Sequence, residues 1–128
     1  MSAEAEVHAA LLAAVRAVAG LNGVYEGPAV KASPPYAEIG ELLSADWSVK
    51  DRAGRELRVA IMLRDAAEGP GRLHALAGAV GDAVEAMPRV LGGWQVASLA
   101  FVRTRVLRPG AGRWSAVVEY RVRVLAAG

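Results

Sequence analysis

Between Trp94 and Leu125 the chain runs twice through a residue-by-residue alternation, and Pro109-Gly110-Ala111-Gly112 separates the two runs. In the first, Trp94, Val96, Ser98, Ala100, Val102, Thr104 and Val106 share one parity. Gln95, Ala97, Leu99, Phe101, Arg103, Arg105 and Leu107 share the other. In the second, Trp114, Ala116, Val118, Tyr120, Val122 and Val124 oppose Val117, Glu119, Arg121, Arg123 and Leu125. Successive side chains of a strand point to opposite faces, so each run predicts a strand with one buried side. The glycine-rich break joins them as a hairpin. Core packing is the expected role of Trp94 and Trp114, which fall on the mainly apolar faces.

The upstream segments supply further strands and a cover. Val7, Leu11, Leu12, Val15 and Val18 recur at spacings of three and four, which predicts a helix over 2–19. Ser2 is placed to cap it, and Glu4 and Glu6 suit the positive end of its dipole. Gly20, Asn22 and Gly23 stop that helix, Val24-Tyr25-Glu26 makes a very short strand, and Lys31 to Pro35 is a loop. Tyr36 to Trp47 reads as a strand by context, and Asp51-Arg52-Ala53-Gly54 as a hairpin connection. Leu57, Val59, Ile61 and Leu63 then alternate with Glu56, Arg58, Ala60, Met62 and Arg64 as a half-buried strand. After Gly69-Pro70-Gly71, helical spacing of Leu73, Leu76, Val80, Val84 and Met87 predicts a second helix over 72–87, ended by Pro88. The expected class is α+β: an antiparallel or mixed sheet of about four to five strands, with two amphipathic helices on one face.

At 128 residues, 54% of them apolar, the chain has material for one hydrophobic core, and a single domain over 1–128 is expected. Cysteine is absent, which excludes disulfides, thiolate metal sites and thiol nucleophiles. Glu4, Glu6 and His8 interrupt the first apolar stretch, and no run approaches a membrane span, so a soluble protein made in the cytoplasm is expected. His8 and His74 stand apart in amphipathic helices without metal-ligand spacing. Asp46, Asp51 and Asp65 fall at strand ends or turns, where solvated carboxylates are ordinary, and no carboxylate pair suits hydrolysis. No serine lies in a GxSxG context and no glycine run has phosphate-loop spacing. The expectation is a protein that is not an enzyme and needs no cofactor.

Arginine is the feature left over. Arg103, Arg105, Arg108, Arg113, Arg121 and Arg123 gather on or beside the last two strands, although the formal net charge is only +2. Like charges opposed on a sheet cost energy unless a partner answers them. Three answers are open: acids of the same chain such as Glu56 or Glu119, a neighbouring subunit, or nucleic-acid phosphates. In the last case Arg103, Arg105, Arg121 and Arg123 would make a small nucleic-acid-binding module whose affinity falls steeply with salt. The aromatics do not interleave with these arginines as they do in single-strand binders.

Pro35-Tyr36-Ala37-Glu38-Ile39-Gly40, then Asp46-Trp47-Ser48, then Gly54-Arg55-Glu56 leading into a strand form an ordered set. With the helix and the run Val96 to Arg108 that follow, the chain resembles the tail-terminator or tail-completion proteins of siphophage-like tails, prophages and gene transfer agents. The resemblance implies a hexameric ring at the head-proximal end of a tail tube. Such a ring would contact further copies of itself, the major tail-tube protein and a head-completion or neck (stopper) protein. DNA would pass through its lumen without tight binding, and no membrane would be involved. A ring needs two different patches that meet by rotation. The candidate subunit or tube interface comprises Asp46, Trp47, Arg55, Glu56, Arg58, Arg103, Arg105, Arg113, Arg121 and Arg123.

Overall fold

The computed structural model describes residues 1–127. Helix α1 (Ala3–Arg16) starts where Ser2 Oγ accepts a hydrogen bond from the Ala5 amide, with Glu4 and Glu6 in the first turn. Its buried stripe is Ala3, Val7, Leu11 and Val15, and the last three have no exposed surface. Each such side chain contributes roughly 1.5–3 kcal/mol of burial. Strand β1 (Val24–Glu26) leads through the 27–35 loop to β2 (Tyr36–Asp46) and β3 (Gly54–Asp65). Helix α2 (Gly71–Glu85) buries Leu73, Leu76, Ala77, Val80 and Val84. Strands β4 (Val90–Leu91), β5 (Trp94–Gly110) and β6 (Arg113–Ala126) complete the fold.

The strands form one mixed sheet of six in the order β1-β2-β3-β6-β5-β4, parallel only between β1 and β2. The α+β class is as expected, but the count of four to five strands is too low. The missed strand is β4, which spans two residues and pairs only Val90 with Gln95 and Leu91 with Trp94. Two residues carry no periodicity to read.

Residues paired across a sheet share a face, so the register sorts the side chains. Leu57, Val59, Ile61 and Leu63 pair with Val122, Tyr120, Val118 and Ala116, and all eight are buried beneath the two helices. The other face carries Arg58 opposite Arg121, Glu56 opposite Arg123 and Ala60 opposite Glu119.

Strand β5 departs from simple alternation. Register shifts between Val96 and Ser98 and between Phe101 and Arg103 each add one residue. An extra residue flips the parity of everything beyond it. Leu99 and Phe101 therefore pair with Val122 and Tyr120 on the helix side, while Ser98 and Ala100 pair with Arg123 and Arg121 on the open side. This reverses the parity-based assignment for the middle of the strand. The second shift restores it, so Arg103 and Arg105 lie on the open face opposite Glu119 and Val117.

The β2–β3 connection also turns earlier than expected. Val49 pairs with Arg52 around Lys50 and Asp51, so Ala53 and Gly54 already belong to the returning arm. Gly54 is needed there, because a Cβ would press on the Trp47 carbonyl oxygen and come within 2.9 Å of Leu125 Cδ2. The tryptophans at 94 and 114 are only half-buried at the rim of the core.

Candidate assembly surface

The open face divides into three parts along the strands. At one end, where the β2–β3 turn meets the end of β6, the charged residues answer one another. Glu56 accepts from Arg123 Nε at 2.7 Å, and the Arg123 guanidinium lies 5.3 Å from the Trp47 ring centroid. That hydrogen bond, helped by the fields of Arg123, Arg121 and Arg58, holds the Glu56 carboxyl below its usual range against the opposing effect of burial. On the helix side of the same end, Asp46 accepts from Ser48 Oγ at 2.6 Å and from Arg55 at 3.3 Å. The Ser48 bond is the main reason the Asp46 carboxyl is also depressed. Arg52 anchors the turn by donating through Nε and Nη2 to the Ala126 carbonyl, at 2.9 and 2.6 Å.

The middle of the open face is a strip in which answered and unanswered charge alternate. Arg103 donates to Glu119 at 2.8 Å, directly across β5 and β6. Arg58 and Arg121 face each other across β3 and β6, and among the described residues neither has a carboxylate within ion-pair reach. The Arg121 Nε is buried and has no hydrogen-bond partner. A buried donor left unmade costs about 1–3 kcal/mol. A cleft of about 230 Å³ beside this pair is lined by Glu41, Leu43, Arg58, Ala60, Arg103 and Glu119. Leu43 on its rim is 55% exposed, an apolar side chain with nothing over it.

The third part is the tip of the β5–β6 hairpin, which turns at Ala111 and Gly112, the latter at φ 68°. Arg105, Arg108 and Arg113 are exposed there and none is ion-paired among the described residues. Arg108 instead covers the Trp114 ring at 5.5 Å.

The ten sequence candidates are thus not one patch. Asp46 and Arg55 turn to the helix side. Trp47, Glu56 and Arg123 make a closed cluster, Arg58, Arg103 and Arg121 a central strip, and Arg105 and Arg113 belong to the tip. Pairing of Arg103 with Glu119 and of Arg123 with Glu56 also leaves only Arg105 and Arg121 of the four arginines that a phosphate-binding strip would use.

Two buried acids escaped sequence reasoning. Asp65, expected to be solvated, has a side chain only 1% exposed and takes a bidentate grip from Arg72 at the start of α2, with Nε at 2.9 Å. That grip outweighs burial and keeps its carboxyl below the usual range. Glu38 is held by Arg64 Nε and the Ala29 amide, both at 2.8 Å. Only tertiary pairing brings Arg64 and Arg72 to these acids.

Residues 5–125 match the family described as tail completion protein gp17. The chain belongs to that family. Among solved structures, the chain is similar to one from the virion of a native gene transfer agent particle, with 25% identity and a TM-score of 0.65. The similarity covers 98% of this chain and 96% of that one. No curated protein matches the chain. Among the described residues no cluster of His, Cys, Asp and Glu could hold a metal ion. Among the described residues no helix is long and apolar enough to cross a membrane.

Proposed function

We propose that this chain, as a single domain, forms a hexameric ring at the head-proximal end of a phage-like tail tube, ends tube growth and joins the tail to the neck. The observation that carries the reading is the family match over residues 5–125. The likeness to a chain of a gene transfer agent particle supports a place in a particle of that kind. Its partners are further copies of itself, the tail-tube protein and a neck protein. It is made in the bacterial cytoplasm, catalyses nothing and takes no cofactor.

Within the ring, the cluster of Trp47, Glu56 and Arg123 on one face and the Asp46–Arg55 pair on the other hold the shape of one end. Arg58, Arg121, Arg105 and Arg113 supply charge for contacts with other chains, because their own chain leaves them unanswered.

Light scattering of the purified protein over a wide concentration range, with and without short tail tubes, tests the reading. The expected result is a sixfold mass, or rings capping one tube end in electron micrographs. A chain that stays monomeric and ignores tubes overturns it. DNA binding that is tight and falls steeply with salt would favour a nucleic-acid module instead. A lumen that lets DNA slide must not hold it.

A further inference from the structure

The ring reading names no receptor for the hairpin tip, and the structure offers one on the other side of the molecule. Between α2 and β5 lies an open groove of about 470 Å³, whose lining includes Gly78, Asp82, Glu85, Phe101, Thr104 and Tyr120. Phe101 is 56% exposed and stands edge-on to the Tyr120 ring at 5.6 Å between centroids. The Phe101 ring gives the groove an apolar floor.

The rim is acidic. Asp82 and Glu85 lie exposed on α2, and neither has a cation within ion-pair distance among the described residues. Glu85 accepts from the Tyr120 hydroxyl at 2.8 Å, which fixes one carboxylate oxygen at the groove mouth. Gly78 exposes the helix backbone, with nothing within 4 Å of where a Cβ would stand, so another chain can come close. Beyond Val96 the outer edge of β5 has no strand beside it among the described residues, because β4 pairs only Trp94 and Gln95. Free edge groups can take hydrogen bonds from an arriving chain.

Apolar floor, acidic rim and open strand edge together call for an extended, cationic, partly apolar segment. The β5–β6 tip is such a segment. It presents Arg105, Arg108 and Arg113 with Leu107, which is 47% exposed. A chain cannot place its own tip in its own groove, since the six residue steps from Thr104 in the groove lining to Gly110 at the turn hold the two apart by roughly 20 Å of strand. The geometry points to the α2–β5 groove as the receptor for the hairpin tip of the next copy of this chain. The contact joins two different patches, as a ring requires. This inference rests on the ring reading and gives it a residue-level contact.

The absence of cysteine makes a direct test simple. A chain carrying Gly78→Cys and Ala111→Cys cannot close a disulfide on itself at that separation, because a disulfide needs Cα atoms within about 7 Å. Under mild oxidation it should give a ladder of covalent multimers up to the ring, while either single variant gives none. In a second test, Arg108→Glu with Arg113→Glu in one chain and Asp82→Arg in another should each abolish the multimer. Mixed in equal amounts, the two should restore it by alternating round an even-numbered ring. Thermal melts of each variant report its folding separately. Wild-type rings that persist in both charge variants, with no ladder from the double-cysteine chain, overturn the pairing and leave the ring standing. A wild-type chain that forms no multimer alone or on tubes overturns the ring and the pairing together.

Discussion

The β2–β3 turn and the β5–β6 tip are both exposed, both rich in arginine, and opposite in how they treat charge. At the turn, Arg123 has Glu56, Arg55 has Asp46 and Arg52 has the Ala126 carbonyl. At the tip, Arg105, Arg108 and Arg113 have no acid within reach among the described residues, and the Arg58–Arg121 strip behind the tip is likewise unanswered. Charge paired within a chain holds that chain together. Exposed charge left unpaired adds little to folding, because it is screened and solvated, and its use is in encounter with other molecules. Substitutions in the two regions should therefore separate folding from assembly.

The largest effect on folding belongs to the turn. Gly54→Ala sets a methyl group against the Trp47 carbonyl, a backbone atom that cannot rotate away, and against Leu125. A loss of about 3 kcal/mol is expected, at the upper end for overpacking, read as a fall in the denaturant midpoint. An unchanged midpoint would mean that the turn is looser than its hydrogen bonds imply. Next comes Asp65 at the shoulder beneath the tip. Asp65→Asn should cost about 1–2 kcal/mol, less than the roughly 3–5 of a fully buried pair because Arg72 is half-exposed. The sign with pH follows from the depressed carboxyl. Its contribution is complete above the ordinary Asp range near 3.9 and is lost as pH falls through the lower folded value. Wild type should therefore lose stability in that acid window while the Asn variant changes less.

How much of this was legible in the sequence depends on the range of the interaction. Both helices, the cap at Ser2 and the strand Leu57 to Leu63 follow from spacing alone, since the deciding residues are neighbours along the chain. The arginines were visible as a group. Which of them are answered was not, because Glu119 meets Arg103 and Glu56 meets Arg123 only through the register of β6 with its two neighbours. The bulges in β5 were hidden for a related reason. Val96 to Val106 alternates as text, yet one inserted residue before Ser98 turns Leu99 and Phe101 onto the side of Val122 and Tyr120, and a second before Arg103 turns the strand back. Phe101 thereby reaches the α2–β5 groove, which no parity argument places there.

The unanswered strip should respond in the opposite way. Arg58→Gln removes one of two like charges that face each other. Stability should stay within about 0.5 kcal/mol of wild type, with any change toward gain. Multimer formation or tube capping should fall. A clear loss of stability with assembly intact would put Arg58 among the fold's own contacts and narrow the difference between the two regions.

The smallest effect links the regions through one carboxyl. Glu56 is depressed chiefly by the hydrogen bond from Arg123, while the more distant fields of Arg121 and Arg58 act in the same direction with less force. Its titration, followed by NMR at the side-chain carboxyl, should therefore respond in rank order. Arg123→Gln should return it furthest toward the ordinary glutamate range, Arg121→Gln less, and Arg58→Gln least. The first change removes a bond and the others only a field that water screens. Because the folded value is the depressed one, Glu56 adds stability above the ordinary range and loses it as pH falls through the folded value. Weakening the depression should shrink that acid-sensitive contribution in the same order. If Arg58→Gln moved Glu56 as far as Arg123→Gln, the strip and the turn would be one electrostatic unit. The unanswered arginines would then already serve the fold, leaving less of their charge for a neighbour.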